Sequence, residues 1–187
     1  QELADITGAE NAVGRELLAR LVRHAPIAGK HVRALDLDAP DFPGRARPPF
    51  RIDDANGHAR HTAFMDWATH CRISAFASQG LTMAYFDELG IGPVIFREET
   101  DYLREVSGNE RVTISFELTG GSADWKHFRI RHVLTRQDGV HCATVVVRGS
   151  WLDRRERRIV VPPEPVTRAF QALPRSSDFE VLVSGRR

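Results

Sequence analysis

Five polar residues stand close together in the segment 51–58, which reads RIDDANGH and directly precedes a long apolar stretch. If that stretch is a helix, a carboxylate in the segment lies beside backbone N–H groups that have no intrahelical acceptor. Those N–H groups could bind a carbonyl oxygen as it gains negative charge, while the carboxylate activates water or attacks as a nucleophile. Gly57 would let the chain turn with positive φ and let a ligand approach the backbone. The segment is therefore a candidate catalytic loop for attack on a carbonyl group.

The same residues also fit a structural role. Asp53 and Asp54 could cap the helix or lie in the loop, because aspartate is common near helix starts. Asn56 and Gly57 form an ordinary turn dipeptide. His58 could orient Asp54, polarise a carbonyl group or hydrogen-bond into the loop. Spacing alone leaves both roles open.

A mostly buried helix is predicted directly after this loop. Apolar residues recur at helical spacing between His61 and Gly80, and they form one wide stripe: Phe64, Trp67, Ala68, Cys71 and Ala75. A second, short helix is expected over 82–89, before Gly90 and Gly92. The loop would thus lie at the N-terminus of the longer helix.

The chain downstream of these helices predicts long antiparallel strands. Apolar residues at 112, 114, 116 and 118 alternate with polar ones, which is the period of a half-buried strand. The run Gln137-Asp138-Gly139 is typical of a tight hairpin turn. The order of one strand before the loop, one long apolar helix and then four consecutive strands implies an α+β fold with an antiparallel sheet wrapped around that helix. A second copy would cover the open sheet edge, so a homodimer is expected.

Composition changes divide the chain into three predicted parts. Residues 1–44 combine an amphipathic helical pattern with the start of a proline-rich stretch, which predicts an N-terminal helical extension and a strap. Residues 45–172 hold the main domain. Residues 173–187 are expected to form a polar C-terminal tail.

Charge and cysteine usage exclude several classes of protein. The formal net charge of the 187 residues is +1, which disfavours a nucleic-acid binder and attraction to an anionic membrane. No stretch is apolar for long enough to cross a bilayer. Cys71 and Cys142 show no CxxC spacing, so a disulfide framework is not indicated and a reducing cytoplasm fits. His61 and His70 do not have metal-ligand spacing, and neither a metal nor another cofactor is implied.

The loop, the apolar helix with Asp66-Trp67 and the later segment FREETDYLREV together resemble the hotdog-fold acyl-CoA thioesterases of the 4-hydroxybenzoyl-CoA thioesterase type. The resemblance spans about residues 48–160. It implies a five-stranded antiparallel sheet wrapped around a central helix, and assembly into dimers or tetramers. It also implies hydrolysis of an acyl thioester of coenzyme A or of acyl-carrier protein.

Position by position, the resemblance implies that Asp54 is the catalytic carboxylate, as general base or nucleophile. Gly57 and His58 match the Gly-His pair of the family, and the resemblance implies that the main-chain N–H of His61 faces the thioester oxygen. This chain has Arg60 and His61 where many relatives carry two asparagines, so the pocket wall differs. Another branch of the family uses a glutamate on the central helix, and Asp66 is the only acidic residue there. Asp66 is therefore the alternative carboxylate.

An arginine-rich run follows the last long strand. Arg154 and Arg155 could grip the phosphates of coenzyme A, because a guanidinium group matches phosphate as a fork. A solvated charge run is the more common meaning of such a segment. The candidate substrate-binding residues are Arg60, Arg154 and Arg155.

Two other functions are open to the same fold. A non-catalytic module that binds acyl thioesters would keep the fold without the chemistry. An enoyl-thioester hydratase would use aspartate and histidine on one loop, with four residues between them. Here three residues separate Asp54 from His58, and Gly57 stands where the hydratase pattern has proline.

Overall fold

The computed structural model of the protein describes residues 57–107, 110 and 112–183. Outside the described residues lie the strand predicted before the loop, Asp54, the predicted extension over 1–44 and the last four residues of the chain. The division of the chain into extension, main domain and tail therefore stays a prediction. No helix in the described part of the chain is long and apolar enough to cross a membrane.

The central helix α1 (His61–Ser78) confirms the helix predicted after the loop. Its buried residues are the predicted stripe, with Phe76 as expected and with Ala63 and Arg72 in addition. Met65 and Ile73, which the sequence also assigned to this stripe, are half-buried and exposed, respectively. The short helix α2 (Met83–Leu89) is capped by Thr82, whose side chain accepts a hydrogen bond from the backbone N–H of Tyr85. It ends at Gly90, whose φ of 66° is a left-handed conformation that favours glycine.

A mixed sheet and one more helix complete the described chain. The strands are β1 (Ile91–Tyr102), β2 (Val112–Ile114), β3 (Glu117–Ser122), β4 (His127–Arg136), β5 (His141–Asp153), β6 (Arg158–Val160) and β7 (Arg175–Leu182). Helix α3 (Glu164–Gln171) lies between β6 and β7. Across the sheet the order is β1-β5-β4-β3-β7, while β2 pairs with β4 and β6 pairs with β5.

Seven strands occupy five positions across this sheet. β2 and β3 follow one another along the same edge of β4, because Ile114 lies opposite Leu134 and Glu117 lies opposite Arg131. In the same way β4 and β6 pair with successive parts of β5. The predicted count of five strands was therefore wrong, because the described sheet has seven.

The prediction of a purely antiparallel sheet was also wrong, because β7 runs parallel to β3. β7 lies in the segment that the sequence assigned to a polar tail. The burial pattern of β7 explains why the sequence did not predict this strand. Only Ser176 of its eight residues is buried, and the strand faces solvent for most of its length. A strand of this kind lacks the apolar alternation by which strands are recognised in a sequence.

The core lies between α1 and one face of the sheet. Alternate residues of β4 are buried, and the inward ones are Phe128, Ile130, His132 and Leu134. Helix α3 closes one end with Phe170, whose ring lies 5.1 Å from the ring of Phe128 and 5.3 Å from that of Trp151. This packing fixes α1 against β4 and β5, and so sets where both ends of the helix lie.

Candidate functional site

The N-terminus of α1 offers backbone donors that nothing in the described chain caps. Arg60 precedes the helix in an extended conformation with φ −63° and ψ 151°, and its side chain makes no capping hydrogen bond. The first turn holds no acidic residue. The backbone N–H of Ala63 donates to the carbonyl oxygen of Arg60 at 2.9 Å, whereas those of His61 and Thr62 have no intrahelical acceptor. A helix start of this kind favours a group that carries negative charge.

The segment that enters the helix is held by the chain that follows β1. Gly57 has a φ of 79°, the left-handed conformation expected for it. His58 pairs with Ser107 in an isolated β-bridge, and the backbone N–H of Ala59 donates to the carbonyl oxygen of Val106 at 2.7 Å. Nε2 of His58 lies 3.4 Å from a carboxylate oxygen of Glu105. These contacts fit a positioning role for His58.

The end of β1 also lies beside the start of α1. The hydroxyl group of Tyr102 donates to the carbonyl oxygen of His61 at 3.4 Å, and its ring meets that of Phe64 edge to face at 5.3 Å between centroids. The predicted residues Gly57, His58, Arg60 and His61 are thus brought together beside Tyr102. Asp66 lies on the first part of α1 and is exposed.

The two candidate phosphate-binding arginines lie elsewhere. The backbone N–H of Arg154 donates to the carbonyl oxygen of Gly90 at 2.9 Å, just before β1 begins. Tyr102 lies twelve residues further along the chain than Gly90, which is about 40 Å of strand at ~3.3 Å per residue. The Arg154 guanidinium pairs with Asp87, and Arg155 is exposed. One chain therefore does not bring these arginines to the start of α1.

A buried polar cluster in the middle of α1 was not foreseen from the sequence. Arg72 is only 6% exposed, and its Nη1 lies 3.3 Å from Nε2 of His132. Its Nη2 donates to Oγ1 of Thr69 at 3.0 Å. Nδ1 of His132 lies 3.0 Å from the carbonyl oxygen of Ser115, so a neutral ring that donates there accepts from Arg72. Burial, with the adjacent Arg72 charge, lowers the pKa of His132 to about 3 and keeps the ring neutral.

No carboxylate among the described residues forms an ion pair with Arg72. The carboxylate whose negative charge acts on Arg72 is that of Glu98, a half-buried residue of β1. Glu98 lies opposite Val147 and therefore shares the sheet face that is turned toward α1. Burial lowers the pKa of Arg72, and the negative charge of Glu98 opposes that shift. The sequence signal was present, because Arg72 is a charged residue within an otherwise apolar helical stripe.

A cavity of about 340 Å³ adjoins this cluster, between α1, α2 and the first half of β1. Its walls are mainly apolar, with Ile73, Phe76 and Ile95 among them. Thr69 and Arg72 line it from α1, and Arg154 lines it from the chain after β5. Volumes of this size are typical of small-molecule sites.

A central helix with an open N-terminus, wrapped by one sheet, defines a hotdog-fold protein. Residues 32–170 match the model of the thioesterase-like superfamily, and the chain belongs to that family. The resemblance seen in the sequence is thereby confirmed. No curated protein matches the chain significantly.

Solved structures of similar fold include a hypothetical protein of Staphylococcus aureus in complex with CoA. It is 18% identical, with a TM-score of 0.59, over 71% of this chain and 87% of that chain. A 1,4-dihydroxy-2-naphthoyl-CoA thioesterase from Synechocystis is 16% identical, with a TM-score of 0.58, over 64% and 88% of the two chains. A hypothetical protein of Thermus thermophilus is 16% identical, with a TM-score of 0.62, over 78% and 99%. At these identities the likeness shows the fold.

The buried imidazole of His132 makes stability depend on pH. The folded chain holds this group neutral down to about pH 3, whereas in the unfolded chain it takes up a proton below about pH 6.5. The unfolded chain thus binds more protons between these values, so stability falls as the pH is lowered through that window. The contribution is at most about 1.4 kcal/mol per pH unit. We expect His132→Gln to lose this part of the slope in urea unfolding measured from pH 4 to 7.

The exposed His141 on β5 supplies the control for that experiment. His141→Gln should keep the wild-type slope, because its side chain is not buried in the core. Equal slopes in wild type and His132→Gln would show that the buried ring does not resist protonation.

Proposed function

We propose that this protein hydrolyses acyl thioesters of coenzyme A or of acyl-carrier protein at the N-terminus of α1. The observation that carries the proposal is the uncapped start of this helix, which directly follows the Asp54 loop in a chain of the thioesterase-like superfamily. The N–H groups of His61 and Thr62 would bind the thioester oxygen as it gains negative charge. Such donors lower the barrier because they are already in place before the reaction begins.

Asp54 supplies the base in this proposal. It takes a proton from water as the water oxygen attacks the carbonyl carbon. When the tetrahedral intermediate collapses, the carbon–sulfur bond breaks and its electron pair leaves with sulfur. The proton then passes from Asp54 to the thiolate, which gives a carboxylic acid and a free thiol. Direct attack by the Asp54 carboxylate, followed by hydrolysis of the anhydride, is the alternative route.

The remaining candidate residues surround that reaction. His58 and Glu105 position the loop, and Gly57 gives it room to turn. Arg60 directly precedes the helix as a candidate substrate-binding residue, and its Nε is buried without a hydrogen-bond partner in the described chain. Asp66 is the alternative carboxylate, one turn further along the helix.

A homodimer through β1 is part of the proposal. β1 pairs with β5 along one edge, and no described strand pairs with the other edge over its 12 residues. An edge of this length invites a second copy. Two-fold pairing of β1 with its counterpart would place the start of one β1 beside the end of the other. Arg154 and Arg155 of one protomer would then approach the thioester site of its partner.

Phe96 provides a test of this dimer. It lies at the bulge of β1 and is 59% exposed, although it is large and apolar. We expect the wild type to have twice the 21.0 kDa mass of one chain in light scattering, and Phe96→Lys to shift it to one chain. Val183→Lys is the control, because Val183 is 92% exposed and lies beyond β7. A wild type of single-chain mass would exclude this assembly.

The central test of the activity is thiol release from short, medium, long and aromatic acyl-CoAs. Asp54→Asn keeps the shape of the side chain and removes its basicity, so we expect turnover to fall by about a hundredfold or more. Asp53→Asn is the matched control, since it changes the neighbouring aspartate in the same way. A loss in Asp66→Asn instead would move the catalytic role to the helix.

The same assay separates the other two functions. Tight binding of acyl-CoA without thiol release by the wild type would favour a non-catalytic binding module. Consumption of crotonyl-CoA without thiol release would favour hydration of an enoyl thioester. Either result would overturn the thioesterase proposal.

Loss of a single backbone donor tests the oxyanion role of His61. His61 is the first residue of α1, a position that tolerates proline, and Arg60 already has the extended conformation that proline requires of its predecessor. His61→Pro should therefore fold and lower kcat by roughly a hundredfold to a thousandfold. His61→Ala keeps the N–H and should stay within a few-fold of the wild type. Equal activities of the two variants would remove the main chain of His61 from the mechanism.

A further inference from the structure

We propose that the cavity beside Arg72 receives the acyl group, and that the Arg72 guanidinium binds a carboxylate at the far end of that group. The preferred substrate would then be a thioester of a dicarboxylic acid. This inference rests on the proposed thioester site at the start of α1, because that site fixes where the reacting carbonyl lies.

The positive charge of Arg72 is the first argument. Its contacts are with Thr69 and the neutral ring of His132, so no touching group in the described chain carries the opposite charge. A buried charge is costly unless it is paired and hydrogen-bonded. A carboxylate on the ligand would supply the opposite charge and accept a charge-assisted hydrogen bond from Arg72.

The place of Arg72 is the second argument. It lines the cavity, and it lies eleven residues beyond His61 on the same helix. At 1.5 Å per residue, that is about 16 Å along the helix axis. A chain of roughly twelve carbons spans this distance, since each carbon–carbon bond of about 1.5 Å advances an extended chain by somewhat less. A twelve-carbon acyl chain that ran along the helix from its start would therefore reach Arg72.

The lining of the cavity favours the acyl group over the phosphates of coenzyme A. Ile73, Phe76 and Ile95 give it apolar walls that suit methylene groups. Its volume of about 340 Å³ lies within the range of small-molecule sites. Arg154, the other arginine at this cavity, already has Asp87 as its carboxylate partner.

Glu98 opposes the binding of a carboxylate at this site. Its negative charge acts on Arg72 from β1 without forming an ion pair in the described chain. A bound carboxylate would be repelled by Glu98 while it is attracted by Arg72. Glu98→Gln should therefore strengthen binding of a ligand that ends in a carboxylate.

Binding of two CoA thioethers tests the inference without hydrolysis. One carries a twelve-carbon chain that ends in a carboxylate, and the other carries the same chain ending in a methyl group. By calorimetry we expect the wild type to bind the first at least about tenfold more tightly than the methyl-ended thioether. Arg72→Gln should abolish this preference, Arg72→Lys should keep part of it, and Glu98→Gln should enlarge it by a few-fold.

Two controls separate the sources of the effect. CoA alone should bind equally to wild type and Arg72→Gln, whereas an equal loss for CoA would assign Arg72 to the phosphates. Arg131→Gln removes an arginine from the opposite face of the sheet, where it pairs with Glu117 and Asp178, and should keep the preference.

Equal binding of both thioethers by the wild type, or binding of neither, would overturn the inference. A selective thioether that binds to a protein with no thiol release would leave the inference standing and overturn only the proposed hydrolysis.

Discussion

Burial of one face of α1 against the sheet is the constraint on which the rest of this structure depends. Ala68, Cys71 and Ala75 are almost fully buried there, and small side chains let the helix approach β4 and β5 closely. Because the helix is rigid, the same contact fixes its N-terminus beside Tyr102. It also fixes its middle beside the cavity. The candidate reaction site and the candidate acyl pocket are therefore two parts of one packed element.

A polar link lies inside this apolar contact. Arg72 and His132 join α1 to β4 in a core where a hydrophobic pair of similar volume would serve packing equally well. The neutral state of His132 makes the link possible, because a protonated ring would place two positive charges side by side. Packing alone gives no reason for a guanidinium at this position. The cavity that Arg72 lines gives a reason, since an anionic ligand group can complete its hydrogen bonds.

Much of the fold could be predicted from the sequence, because buried faces of helices and strands produce a periodic pattern of apolar residues. α1, α2 and the long strands follow apolar repeats, and Gly57 and Gly90 adopt the positive φ that their positions indicate. β7 left no such trace, since it is mostly exposed and owes its place to backbone pairing with β3. Arg72 was missed for a related reason. A charged residue within a buried stripe interrupts the apolar pattern, and the sequence does not show the cavity that this residue lines.

The length of β1 determines how a complete site can be built. Tyr102 at one end touches the start of α1, while Gly90 and Arg154 meet at the other end, about 40 Å away by the rise of the strand. A ligand that needs both the helix start and the arginines of the β5–β6 turn cannot find both at close range in one chain. Antiparallel pairing of two β1 strands removes this distance, because it exchanges the ends. The proposed dimer would therefore account both for the edge of β1 that no described strand covers and for the separation of the candidate residues, because each site would use both chains.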